Sequence, residues 1–220
     1  CFGTLFKLKY LGNKIFIKTY SDFSSKFGLG SSSAVTVALI YALGKLNNIK
    51  ISQKEIFDLG YKVVLNIQGA GSGFDIAAAT YGKTTYFLTG GKVIEPLQVN
   101  SLNLIIGYSG VKADTATIVK EIKLKMVDKK IEIFEIFENI KQIVEKAKVS
   151  LVDGDWKTVG ELMNQNHKLL QELGVSTGKL DKMCQAAISA GAYGAKLSGA
   201  GGGDCIISLV PKNKIKNVES

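Results

Sequence analysis

The sequence predicts an α+β protein in two parts, sheet-rich over residues 1–100 and helix-rich over 101–220. Three observations point there. Short alternating or β-branched runs bounded by glycine and asparagine dominate the early chain. Apolar residues then recur at helical spacing from about residue 115 to 190. A last pair of short strands brackets a run of glycines.

Taken in order, Thr4 to Tyr10 and Lys14 to Tyr20 alternate apolar and polar around Leu11-Gly12-Asn13, which reads as a β-hairpin. Ser33 to Leu46 is a small-and-apolar stretch that suits a buried helix, with Ser31 to Ser33 able to cap its free amides. Ser52-Gln53-Lys54-Glu55 is a capping box opening a second helix to about Asn66, with Ile56, Leu59, Val63 and Val64 inward. A short helix is expected from about Phe74 to Thr80 and strands near Thr84 to Leu88 and Leu102 to Tyr108, with Gly90, Gly91 and Pro96 at the joints. Helices then follow at about Thr115 to Lys125, Glu132 to Leu151, Trp156 to Leu173 and Lys179 to Ala190, the last two closed by Gly174 and Gly191. Ala195 to Ser198 and Cys205 to Val210 read as strands, the second ended by Pro211.

Composition narrows the function classes. Among 220 residues, 28 are basic and 19 acidic, a formal charge of +9, and 46% are hydrophobic, which suits a packed core and not a disordered tail. All the basic residues are lysine. They are scattered, without a dense stripe interleaved with aromatics, so nucleic acid is not an expected partner. The longest uncharged apolar run, Ala34 to Leu43, is too short to span a bilayer, and no membrane partner is expected. Nothing at the start resembles a cleavable export signal, and Cys1, Cys184 and Cys205 have no zinc-ligand spacing, which reads as reduced thiols in a cytoplasmic protein.

Two glycine-rich segments carry the candidate chemistry. Lys26-Phe27-Gly28-Leu29-Gly30-Ser31-Ser32-Ser33 runs straight into a helix, so bent backbone amides and the helix N-terminus can meet a phosphate while a hydroxyl ligates Mg²⁺. It is neither a Walker A sequence nor Gly-x-Gly-x-x-Gly. The second segment, Ser198-Gly199-Ala200-Gly201-Gly202-Gly203, has more glycine than a hairpin needs, which suggests a backbone approached closely by a ligand. Between them stands a lone carboxylate, Asp75, in Gly71-Ser72-Gly73-Phe74-Asp75. His167, the only histidine, sits mid-helix and reads as a packed or surface residue; Cys205 reads as core.

Gly28-Leu29-Gly30-Ser31-Ser32, Gly71-Ser72-Gly73-Phe74-Asp75 and Ser198-Gly199-Ala200-Gly201-Gly202-Gly203 resemble, in order and spacing, the signatures of the GHMP small-molecule kinases. The resemblance covers about residues 20 to 210 and implies the two-domain fold of that superfamily. Within it, Lys26, the string from Gln68 to Ala79, Gly107-Tyr108-Ser109-Gly110 and the Gly203-Asp204-Cys205 ending look most like the phosphomevalonate kinases. That resemblance implies ATP-dependent phosphorylation of 5-phosphomevalonate to the 5-diphosphate in isoprenoid biosynthesis. Mevalonate kinase, diphosphomevalonate decarboxylase and a nucleotide-binding sensor without turnover are the alternatives.

Residue by residue, the resemblance implies that Gly28, Leu29, Gly30, Ser31, Ser32 and Ser33 cradle the ATP phosphates and that Ser32 faces Mg²⁺. Asp75 is expected near the acceptor oxygen as a base or an orienting charge, with Lys26 neutralising phosphate charge. Ser72, Gly73, Ser109, Gly110, Thr115, Ser176, Ser198, Gly199, Ala200, Gly201 and Gly202 are expected around the substrates, with helix capping an alternative for Thr115 and Ser176. Two departures stand out. The family's first strand and Pro-Gly-Lys-like segment have no counterpart before Gly28, and the closing strand is absent, so a fold truncated at both ends is expected. The acidic metal ligand of mevalonate kinases, eleven positions before the loop aspartate, is here Val64.

Overall fold

A computed structural model describes residues 17–20, 27–69 and 71–219. They fall into two compact units, the first holding 17–20, 29–69 and 71–97, the second 27–28 and 98–219. Most of the expected N-terminal hairpin lies outside the described residues, and 17–20 carry no regular structure.

The first unit contains α1 (Ser31–Leu46), α2 (Gln53–Gln68), α3 (Phe74–Tyr81), β1 (Thr84–Leu88) and β2 (Val93–Leu97). The capping box of α2 forms as expected: Ser52 Oγ accepts from the Glu55 amide, and the Glu55 carboxylate accepts from the Ser52 amide at 2.8 Å. α1 differs. It starts at Ser31 on Gly30, which has φ 70° and no side chain to cap with, so the three serines lie inside the first turn and do not cap it. β2 was not expected, because Pro96 and two glycines read as joints. It pairs antiparallel with β1 through a turn at Thr89–Gly91, in the register Thr84↔Leu97 to Leu88↔Val93. Two apolar clusters hold the unit: Ile40, Ile56 and Val63 between α1 and α2, and Phe57, Ile76 and Ala77 between α2 and α3.

The second unit contains β3 (Leu104–Tyr108), α4 (Thr115–Asp128), α5 (Lys130–Asp153), α6 (Trp156–Glu172), α7 (Gly178–Ser189), β4 (Gly194–Leu197), β5 (Cys205–Leu209) and the short α8 (Ile215–Glu219). The sheet is antiparallel in the order β3-β5-β4. Ile133 and Ile136 of α5, Leu180 and Cys184 of α7, and Ala195, Leu197, Ile206 and Val210 form its core. Leu180 is fully buried; a side chain of that size contributes about 1.5–3 kcal/mol.

α6 lies against β4 at backbone distance. A Cβ at Gly194 would fall 2.0 Å from the Gly160 carbonyl oxygen, and one at Gly160 would fall 2.4 Å from the Tyr193 carbonyl. This pair of glycines sets how deeply α6 seats on the sheet, and through that where the side chains of α6 reach.

Candidate functional site

Each unit carries part of the expected chemistry. In the first, no side chain among the described residues caps α1, so its leading amides keep their hydrogen-bonding capacity beside the positive end of the helix dipole. Asp75, in the first turn of α3, lies directly against this loop: a Cβ at Gly30 would sit 3.2 Å from Asp75 Oδ1. Burial raises the Asp75 carboxyl above its ordinary value. The segment before it is braced from behind. Tyr61 donates its hydroxyl to the Gly71 carbonyl at 2.9 Å, and the Gly90 amide donates to the Ser72 carbonyl at 2.9 Å. Gly73, at φ 90°, is buried against Tyr61.

The donor set fits a phosphate with its magnesium in a limited sense. Ser32 is exposed in the first turn of α1 and its hydroxyl is available to a metal. Val64 is packed against the cluster around Phe57 and Ile76, and its Cγ1 would lie 2.9 Å from a Cβ at Gly71. Among the described residues no group of three or more His, Cys, Asp or Glu side chains is placed to hold a metal. A magnesium ion at Ser32 would therefore draw its other ligands largely from phosphate oxygens and water, a common arrangement for that ion.

In the second unit, Phe27 stacks obliquely on Tyr108 at 5.2 Å, and its carbonyl accepts from Cys205 Sγ. A Cβ at Gly28, where φ is 68°, would fall 2.7 Å from Asp204 Cγ. Asp204 itself has φ 56°, and its Oδ1 accepts from the Ala113 amide at 3.2 Å. Together with Ser109 N–H to Asp204 O and Asp204 N–H to Val111 O, this closes the ends of β3 and β5 on one another.

The expected substrate residues of this unit are placed variously. Ser109 is 2% exposed and its hydroxyl donates to the Val111 carbonyl, so it serves the turn. Gly110 is exposed, with the Lys179 ammonium near it. Thr115 opens α4 but does not cap it; Asp114 does, accepting from the Thr117 amide and hydroxyl. Ser176 does not cap α7 either, a part taken by Thr177; its hydroxyl donates to Asp181 at 2.5 Å.

The glycine loop departs most from expectation. Gly202 donates to the Val175 carbonyl at 2.8 Å, and a Cβ at Gly201 would fall 2.1 Å from that same oxygen. Equivalent atoms on Gly202 and Gly203 would strike Ile118 Cδ1 and the Val111 carbonyl, both at 2.6 Å. These three glycines are needed for packing within the unit. Gly199, exposed at φ 84°, faces open space, as a site of ligand approach would. Ser198 donates its amide to the Cys205 carbonyl, and Ala200 is partly buried beside it.

Lys26 lies outside the described residues. The sequence reading missed the network behind the glycine loop, in which buried His167 meets Asp181 and the Leu197 amide. Only the fold joins these residues, so no local motif announces them.

The comparisons with known proteins bear on both units. The family model described as "GHMP kinases N terminal domain" matches residues 2–83 and "GHMP kinases C terminal" matches 147–220. The chain belongs to the GHMP kinase family of phosphotransferases. Relatives include proteins named mevalonate kinase from Pyrococcus horikoshii, 42% identical over 84% of this chain and 56% of its own length, and Methanothermobacter thermautotrophicus, 32% identical over 95% and 69%. The chain thus spans little more than half the length of its Pyrococcus relatives. A solved L. major mevalonate kinase in complex with R-mevalonate superposes with a TM-score of 0.79 and 28% identity, covering 86% of this chain and 60% of that one. A Streptococcus pneumoniae phosphomevalonate kinase superposes with a TM-score of 0.76 at 24% identity, over 88% and 64%, and shares the fold. Among the described residues no helix is long and apolar enough to cross a membrane.

Proposed function

We propose that the protein is an ATP-dependent kinase of the mevalonate route to isoprenoids whose acceptor is the hydroxyl of mevalonate. The single observation that carries the chemistry is the Asp75 carboxylate lying against Gly30 at the open N-terminus of α1. Amides of Gly28 to Ser33 would hold the phosphates of ATP, and bound Mg²⁺ would neutralise charge that grows during transfer. The acceptor oxygen attacks the γ-phosphorus as the bond to the ADP oxygen breaks. Asp75 accepts or orients the hydroxyl proton, a task that suits a carboxyl raised by burial.

The choice of acceptor departs from the expectation of 5-phosphomevalonate. Relatives named mevalonate kinase reach 42% identity, whereas the phosphomevalonate kinase likeness, at 24%, speaks for fold alone. The Asp204 ending, part of the reason for expecting a phosphorylated acceptor, is accounted for by its hydrogen bond to Ala113. A brace of this kind carries no information about the acceptor.

A coupled ADP-release assay with mevalonate, 5-phosphomevalonate and 5-diphosphomevalonate, with CO₂ followed in parallel, tests the reading. Turnover is expected with mevalonate and without CO₂. Turnover with 5-phosphomevalonate alone would restore the phosphomevalonate kinase assignment, and CO₂ release would make the protein a decarboxylase. Nucleotide binding with no turnover on any acceptor would identify a sensor.

A further inference from the structure

His167 lies mid-helix on α6, 7% exposed, and joins three parts of the second unit. Its Nδ1 is 3.3 Å from the amide nitrogen of Leu197, the last residue of β4 before the glycine loop. Its Nε2 is 3.1 Å from Asp181 Oδ1 on α7, and that oxygen also accepts from Ser176 Oγ. A backbone amide can only donate, so Nδ1 must be the acceptor and the proton belongs on Nε2, facing the carboxylate. The turn holding Val175 and Ser176 is the surface on which the loop rests, through Gly202 N–H to Val175 O and the tight approach of Gly201.

We propose that His167 is a positioning residue for the glycine loop. Its Nδ1 lone pair holds the loop's entry at Leu197, and its Nε2–H, through Asp181, holds the turn beneath the loop, so the loop is fully seated only while the imidazole is neutral. The groups facing the ring are Asp181 and Cys184 from α7 and Lys196 from β4. Burial, the largest influence, and the nearby Lys196 lower the imidazole's pKa, and Asp181 opposes them; the net direction is down. Protonation on the acid side would put an N–H on Nδ1 facing the N–H of Leu197, and that hydrogen bond would be lost. The effect on turnover rests on the kinase reading above; the seating of the loop does not.

Because His167 is the only histidine in the chain, its state can be read without a variant. Nitrogen NMR of the imidazole at neutral pH is expected to show the Nε2–H tautomer, and an Nδ1–H tautomer would overturn the proposal. Hydrogen exchange of the peptide spanning 197–203, corrected for intrinsic rate, is expected to lose about tenfold in protection once the imidazole is protonated, the scale of one buried amide left unpaired. Protection that ignores pH would overturn it. His167→Asn, whose Oδ1 replaces the Nδ1 acceptor, is expected to keep the loop protected across the range and to remove from the kcat/KM profile the part of the acid limb that follows the imidazole, leaving the part set by Asp75. His167→Gln reaches towards Asp181 instead and should leave the loop unprotected at every pH. Equal behaviour of the two variants would refute the role assigned to Nδ1. A pH-sensitive loop in a protein with no turnover would support this inference and sink the kinase reading.

Discussion

Replacing Gly201 with alanine tests whether the glycine loop is seated on the turn at Val175. Gly201 has φ 89°, where an L residue is strained by about 1–2 kcal/mol. Its new Cβ would also start 2.1 Å from the Val175 carbonyl oxygen and 2.8 Å from its carbon, backbone atoms that cannot swing aside as a side chain end would. Separation must grow by about 1.3 Å or more to reach ordinary contact, an overpacking of about 1–3 kcal/mol. That movement opens the 2.8 Å bond from the Gly202 amide to the same oxygen, another ~1 kcal/mol. Gly201→Ala should therefore cost about 3–6 kcal/mol if the backbone stays near its present path. Gly199→Ala is the control. Its φ is 84°, so the dihedral strain is alike, but nothing lies within 4 Å of the added methyl, and about 1–2 kcal/mol is expected. At about 2–4 °C per kcal/mol, thermal unfolding separates the two clearly. Equal losses of Tm in both variants would refute the seating of the loop on Val175.

Three further outcomes are expected. Asp75→Asn should lower kcat by roughly 10²-fold or more while leaving nucleotide affinity nearly unchanged. Because burial raises the Asp75 carboxyl, the ionised form is disfavoured in the folded state, and the stability present below the ordinary value near 3.8 is lost as pH rises through the raised one. The neutral amide should thus raise Tm at pH 7, and normal turnover with an unchanged Tm would remove Asp75 from the site. Gly160→Ala forces α6 away from β4, where backbone is the obstacle, so a Tm loss of several degrees is expected; a wild-type melting curve would contradict the close crossing. Finally, the lowered His167 pKa means that the unfolded chain binds the imidazole proton first on acidification. Stability conferred by the neutral ring is fully present above about pH 6.5 and falls between there and the lower folded value. Urea midpoints across that window should show the slope in the wild type and lose it in His167→Asn; an identical slope in both would assign it to other groups.

Much of the local structure was legible because its causes are local. The Ser52–Glu55 box, Asp75 at the start of a short helix, and the glycines closing the later helices each act within one turn of backbone. β1 was found at Thr84–Leu88 from its β-branched and aromatic residues, whereas β2 was hidden by Pro96, a residue that gives its strand no amide to donate at that position. The serines of the first loop misled as caps. Whether a hydroxyl caps depends on which residue takes the non-helical dihedrals, and here Gly30 does.

The sequence by itself determined the family, the order of its three glycine-bearing motifs and the carboxylate between them, because these are strings whose spacing survives in the linear chain. Only the tertiary structure decided what each glycine and polar side chain does. Gly201 to Gly203 answer to carbonyls and side chains from other parts of the fold, Asp204 to the Ala113 amide, and His167 to Asp181 and Leu197, 14 and 30 residues away. Such partners are set by the depth at which α6 and α7 pack on the sheet. Close contact between distant backbone segments leaves no periodic trace along the chain.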